Sequence, residues 1–129
     1  MISEKRRFLL IGESREDPWQ QTLEEASASL GALQIAREVD ALKLIRQQGY
    51  DLIFIDAANV KDVFVYVRCI RAQRPDAKIV VVTASPTWEQ AREAFRAGTS
   101  DYIRKSLNKE KILSALRATL SKSPPGWRH

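Results

Sequence analysis

The chain is poor in the residues that build several common kinds of site. It has one cysteine, Cys69, among 129 residues, which excludes an internal disulfide and a cysteine-rich zinc centre. No apolar run approaches the length of a membrane span, and no signal peptide stands at the start. With a lone cysteine, this reads as a cytoplasmic protein. No phosphate loop and no GxGxxG fingerprint occur, so a nucleotide is not implied. The net charge is +5, but the basic residues are scattered and no aromatic-interleaved basic motif or Gly-rich basic loop is present. A solvated basic surface accounts for them better than a nucleic-acid site in this domain. There is no internal repeat and no low-complexity segment.

What the chain does have is a set of short apolar runs. Leu52-Ile53-Phe54-Ile55 follows a Gly-Tyr-Asp turn and ends on Asp56. It reads as a strand buried on both faces, as in a parallel sheet. Arg7 to Ile11, Leu33 to Glu38, Lys78 to Thr83 and Asp101 to Arg104 read as four more strands. Met1 to Arg6 reads as a polar, frayed start.

Helical patterns separate these runs. Asp17-Pro18 is a helix start, with Leu23, Ala26 and Leu30 on one face and a stop near Gly31. Asp40 starts a helix with Leu42 and Ile45 inward and Gly49 past its end. Lys61 to Gln73 has strand propensity but helical spacing of Val63, Val67 and Ile70, and two consecutive strands would break the alternation. It reads as a helix ended by Pro75, with Cys69 buried and Arg68, Arg71 and Arg74 as a solvated stripe. Thr87 and Gln90 form a capping box, with Ala91, Ala94 and Phe95 inward and Gly98 as the stop. Asn108 caps a last helix that buries Ile112, Leu113, Leu116 and Leu120. Five alternating strand–helix units predict an α/β domain over 1–121, a parallel sheet with helices on both faces. Residues 122–129 contain Pro124-Pro125-Gly126 and read as a linker or tail, beyond which a longer protein is expected to continue.

A parallel sheet brings its carboxyl strand ends to one edge, where ligands of open α/β sheets sit. Four such ends carry polar groups: Glu13, Asp56, Thr83 and Lys105. Paired carboxylates suit a hard divalent ion such as magnesium, and a lysine with a threonine suits phosphoryl oxygens. Together they describe transfer of a phosphoryl group onto a carboxylate. Each residue also has a plainer role open to it. Asp56 could cap a turn, Glu13 could be a solvated loop acid, and Thr83 could be an ordinary β-branched strand residue. Lys105, ending an apolar strand, is hard to explain as mere surface. Trp88, near a helix start, is either an interface anchor or a partly buried side chain.

From Arg7 to Leu120 the chain resembles the receiver domains of two-component response regulators, the CheY-like family. The resemblance rests on FLLIGESREDP, DALKLIRQQGYDLIFIDA, KIVVVTAS and AREAFRAGTSDYIRKSL, and on the 22-residue step from Thr83 to Lys105. It implies a flavodoxin-like (βα)5 sandwich with strand order 2-1-3-4-5. It implies Asp56 as phosphoacceptor, with Thr83 and Lys105 on the phosphoryl group. Glu13, Asp56 and the Ala58 carbonyl would bind magnesium, weakly, and Tyr102 would be an aromatic switch, though Tyr102 at the core edge is equally open. A histidine kinase or phosphotransfer protein is the implied donor; an output domain, a partner protein and a second copy of the chain are further candidate partners. Catalysis would extend at most to self-catalysed phosphoryl transfer.

Three departures from the family pattern bear on the chemistry. Gly12 stands where the first of two adjacent acids is usual, and Glu13 replaces the commoner Asp. Asp56 is followed by Ala-Ala-Asn-Val, without the usual Met-Pro and later Gly. Ser106 follows Lys105 in place of a cis proline, which predicts a trans bond and a shifted loop. The departures open a second function: a pseudo-receiver, the same fold used as a phosphorylation-independent interaction module. Glu16 or Asp17 could substitute for the missing acid, though Asp17 is accounted for as a helix cap.

Overall fold

The structure, a computed structural model, describes residues 6–13 and 17–122. Five strands alternate with five helices: β1 (Arg6–Ile11), α1 (Pro18–Ala28), β2 (Gly31–Ala36), α2 (Glu38–Gln47), β3 (Leu52–Asp56), α3 (Val63–Gln73), β4 (Ile79–Thr83), α4 (Trp88–Ala97), β5 (Asp101–Arg104) and α5 (Lys109–Leu120). One 3-10 turn, Ala57–Asn59, follows β3. The strands are all parallel, in the order β2-β1-β3-β4-β5. The expected flavodoxin-like α/β sandwich is the fold observed.

The period-2 alternation of the central strands sorts the core into two layers. Phe8, Leu10, Leu52, Phe54, Val80 and Val82 face one side, packed with Trp19 and Leu23 of α1 and Ile112 and Leu116 of α5. Leu9, Ile11, Ile53, Ile55 and Val81 face the other, packed with Ile45 of α2 and Val67 and Ile70 of α3. The alternation carries past the apolar run: Asp56 follows Leu52 and Phe54 onto the α1 and α5 side.

Several boundaries differ from those read in the sequence. Gly31, expected as a helix stop, opens β2, because a Cβ there would stand 2.2 Å from the Arg6 carbonyl oxygen. Arg6 therefore belongs to β1 and not to a frayed start. Strand β2 ends at Ala36, so Glu38 begins α2 instead of ending the strand, and the helix starts before Asp40. Its alternating exposure fits an edge strand that pairs only with β1. In α4 the small residues Ala94 and Ala97 face the sheet, and Phe95 points outward at 50% exposure. Leu113 and Leu120 of α5 are only partly buried, as is Cys69.

The arginine stripe on α3 is not uniformly solvated. Arg68 is exposed, but Arg71 turns back to donate to the carbonyls of Pro75 (2.8 Å) and Gly98 (2.6 Å), and Arg74 to that of Ile45 (2.9 Å). These carbonyls end helices or sit in tight loops and lack backbone donors, which the guanidinium forks supply. Burial lowers the Arg71 pKa from the ordinary arginine value, opposed by Asp76. Gly98 itself caps α4 at φ 115°, the left-handed region that favours glycine.

The helix starts follow their capping residues. Asp17 accepts from the Trp19 amide, Thr87 from Gln90, and Asn108 from Glu110 and Lys111. No cis peptide bond occurs among the described residues, so Lys105–Ser106 is trans, and Ser106 Oγ accepts from the Asn108 amide at 3.0 Å. Lys122, placed with the tail by its sequence, stands 3.6 Å from Asp101. The Pro-Pro-Gly stretch and Glu16 lie outside the described residues.

Candidate functional site

Asp56 closes β3 at the carboxyl edge of the sheet and is 2% exposed. Burying a carboxylate is costly unless its oxygens are satisfied. Here three donors do so. Oδ1 lies 3.1 Å from Lys105 Nζ and accepts from the Ala58 amide at 3.0 Å. Oδ2 accepts from the Trp19 indole Nε1 at 3.4 Å. Lys105 reaches the acid from just past β5, its side chain only 15% exposed. Its ammonium also lies 3.6 Å from Asp17 Oδ2 and 5.4 Å from the centre of the Trp19 ring. A cation over an indole face is attracted by the ring's electrons, so the lysine is held by two acids and an aromatic.

Asp56 and Lys105 are thus in direct contact, as their placement at strand ends suggests. Thr83 and Tyr102 occupy a different corner. Thr83 is in step with Ile79 and Val81, on the face opposite Asp56, and its Oγ1 accepts from the Ser85 amide at 3.2 Å. Tyr102 packs at the edge of that layer, and its hydroxyl donates to Gln90 Oε1 at 3.2 Å. Both line a cavity of about 530 Å³ together with Ala58, Asp62, Phe64 and Gln90. No hydrogen bond joins Thr83 to Asp56 among the described residues. The turn at Ala57–Ala58 lies between the acid and the cavity: the Ala58 amide holds Asp56, and Ala58 lines the cavity.

The corner beside Gly12 is filled differently from a paired-acid site. A Cβ on Gly12 would stand 3.3 Å from Asn59 Oδ1 and 3.4 Å from the Asp56 Cβ. The Asn59 amide oxygen, which accepts weakly from the Glu13 amide at 3.4 Å, stands where it would have to shift slightly to admit a side chain at position 12. Among the described residues no group of three or more His, Cys, Asp or Glu is placed to hold a metal ion. Asp56, Glu13 and the Ala58 carbonyl are hard oxygen donors of the kind magnesium takes, but with one acid fewer they fit an ion that keeps most of its water.

Two residues of this site escape the sequence reading: Trp19 and Asn59. For Trp19 a signal exists. The apolar face of α1, read forward as Leu23, Ala26 and Leu30, extends one turn back to Trp19, two residues after the cap Asp17. That turn lies beside the carboxyl edge of the sheet. Asn59 carries no such signal, because its role depends on the side chain absent at Gly12.

Residues 16–117 match the family described as the response regulator receiver domain. The chain belongs to that family. Among curated proteins it is similar to the transcriptional regulatory protein ZraR of Salmonella typhimurium, 31% identical over 83 residues, 64% of this chain and 19% of that one. The chain spans about a fifth of the length of the curated relatives it matches. Among solved structures it is similar to a response regulator from Thermotoga maritima, with a TM-score of 0.82 and 23% identity over 92% of this chain and all of that one. It is also similar to a response regulator from Burkholderia pseudomallei, solved with a phosphorylated aspartic acid, a calcium ion and citrate. That match has a TM-score of 0.73 and 27% identity over 91% of this chain and 69% of that one. This receiver domain is a two-component signalling module. Receivers of the family bind a divalent ion at an acidic pocket and work with histidine kinases and output domains. No helix among the described residues is long and apolar enough to cross a membrane.

Proposed function

We propose that Asp56 accepts a phosphoryl group from a histidine kinase or phosphotransfer protein. The observation that carries this reading is the buried Asp56–Lys105 pair, 3.1 Å apart at the carboxyl end of the central strand. A carboxylate oxygen of Asp56 forms the new bond to phosphorus, and the donor's bond to phosphorus breaks, its electron pair leaving with the donor. The Lys105 ammonium, already aimed at the acid, offsets the charge on the phosphoryl oxygens as they arrive. Magnesium, held by Asp56, Glu13 and the Ala58 carbonyl, would add positive charge beside those same oxygens. The phosphorylated aspartic acid in the Burkholderia relative supports the assignment.

The cavity between Thr83 and Tyr102 gives the modification a route to the surface. A phosphoryl group on Asp56 removes the carboxylate charge that the Ala58 amide now faces, and the same turn borders the cavity. Thr83 and Tyr102 then change their contacts with Ser85 and Gln90, at the start of α4. An output domain or partner protein reads that change, in the cytoplasm. The test is intact-mass measurement of the purified chain after incubation with acetyl phosphate and magnesium, beside Asp56→Asn. One added phosphoryl group in the wild type and none in Asp56→Asn is expected. No addition under any donor or kinase would favour the phosphorylation-independent module.

A further inference from the structure

The start of α1 is fastened over Asp56 by three linked contacts. Asp17 caps the helix through the Trp19 amide (3.2 Å) and faces Lys105 with its other oxygen (3.6 Å). Pro18 sets the backbone of the first helical residue, and with it the direction from which Trp19 enters the core. The Trp19 side chain, 2% exposed, lies under the Lys105 ammonium and gives its N–H to Asp56 Oδ2. The acid is consequently left with Oδ1 engaged by lysine and amide and Oδ2 engaged by the indole. Among the described residues each oxygen of this 2% exposed residue thus has a donor facing it, which an incoming phosphorus must displace or pass.

The geometry points to Trp19 as a latch on the acceptor: its indole holds and covers Oδ2, and phosphoryl transfer proceeds only when the indole releases that oxygen. The inference rests on Asp56 being the acceptor. In the step itself, a lone pair of Oδ2 forms the O–P bond. With acetyl phosphate the P–O bond to the acetyl group breaks, and acetate leaves with the electron pair. The Trp19 proton stays on its nitrogen throughout; only its acceptor is lost. At 3.4 Å the bond is longer than the usual 2.7–3.2 Å range for N–H···O, so it is weak enough to break yet present in the resting state. Trp19 is a positioning residue in this scheme, one that sets how often Oδ2 is free.

Trp19→Phe keeps an apolar ring under Lys105 and removes only the donor and the outer ring. Labelling of Asp56 by acetyl phosphate with magnesium is expected to run about twofold faster in this variant, the factor set by a hydrogen bond at the weak end of the net range. A second readout needs no phosphorylation. The Trp19 indole N–H resonance, assigned by its loss in Trp19→Phe, should move and exchange faster with water in Asp56→Ala. That of exposed Trp88 should stay in place. An unmoved Trp19 signal overturns the inference. So does a folded Trp19→Phe that labels at the wild-type rate or slower, and that result leaves Asp56 standing as acceptor. Labelling of neither protein overturns the acceptor assignment and the latch with it. A wild type that labels barely, beside a variant that labels well, is the strongest support.

Discussion

Removing the ammonium from the buried pair should cost far more than removing a surface lysine. The perturbation is Lys105→Met, which keeps most of the stem's apolar volume and deletes the charge. At 3.1 Å the Lys105–Asp56 attraction is about 5 kcal/mol at an effective dielectric of about 20. Part of that offsets the desolvation of both groups. Deleting one partner of a buried pair costs roughly 3–5 kcal/mol, since the other is left uncompensated. Asp56 keeps two N–H donors, from Ala58 and Trp19, so the low end applies, about 3 kcal/mol. The second pair, to half-exposed Asp17 at 3.6 Å, adds little. Urea unfolding should show this loss directly, and Tm should fall by about 8–12 °C for a domain of this size. Asp56→Asn alone should be mild, because Lys105 retains Asp17 and the indole face. The double variant Asp56→Asn/Lys105→Met should regain about 2 kcal/mol relative to the sum of the singles. A Lys105→Met protein as stable as wild type, with no coupling in the cycle, would refute the reasoning and make Asp56 an acid that needs no counter-charge.

Three further outcomes are expected. Arg71→Met should destabilise the fold by about 2–4 kcal/mol, because the carbonyls of Pro75 and Gly98 lose their donors, and Arg71→Lys should recover less than half of it in the same denaturation assay. Tyr66 is buried, its hydroxyl donates to the Glu38 carbonyl at 2.7 Å, and burial, aided by the Glu38 charge, pushes its pKa up to about 12. Its neutral form is the one the fold favours, so its contribution is full below pH 10 and lost between pH 10 and about 12; Tyr66→Phe should cost about 1 kcal/mol at neutral pH and flatten that alkaline fall in a stability–pH series. Gly12→Asp should tighten magnesium by about tenfold in calorimetric titration, since it adds an acid beside Asp56, and should lower stability in the absence of the ion; unchanged affinity would mean that the Asn59 amide oxygen, 3.3 Å from the new Cβ, keeps the added carboxylate out.

The fold was legible because each central strand is a continuous apolar run with a turn signal on both sides, and every helix but α2, which starts at Glu38 with no side-chain cap, has a capping residue where it begins. The edge strand β2 was misplaced because its stretch is only half apolar; its true start is set by the backbone approach of Arg6 to Gly31, a contact between segments far apart in the chain. The arginines of α3 show a similar limit. Helical spacing places Arg71 on the outer face, and only tertiary structure puts uncapped carbonyls within reach of it. At the site, Asp56 and Lys105 announced themselves as charged residues ending apolar strands. The division of Thr83 and Tyr102 from Asp56 was implicit in period-2 alternation: Thr83 is in step with Val81, and Asp56 with Phe54, whose side chains face opposite layers. Trp19 was hidden because a tryptophan one turn before a leucine reads as core, and core it is, with a polar edge that meets the acid.

Which acid carries the phosphoryl group is the most direct question to put to the molecule. Asp17, Glu13 and Asp56 lie on or beside one edge of the sheet, and an intact mass does not tell them apart. After treatment with acetyl phosphate and magnesium, trapping the acyl phosphate by borohydride reduction and sequencing the peptides by mass spectrometry identifies the modified position. Reduction at Asp56, lost in Asp56→Asn, is the predicted result. Reduction at Asp17 or Glu13 with Asp56 untouched would contradict it, and would reduce Asp56 to a structural acid held by Lys105, Ala58 and Trp19.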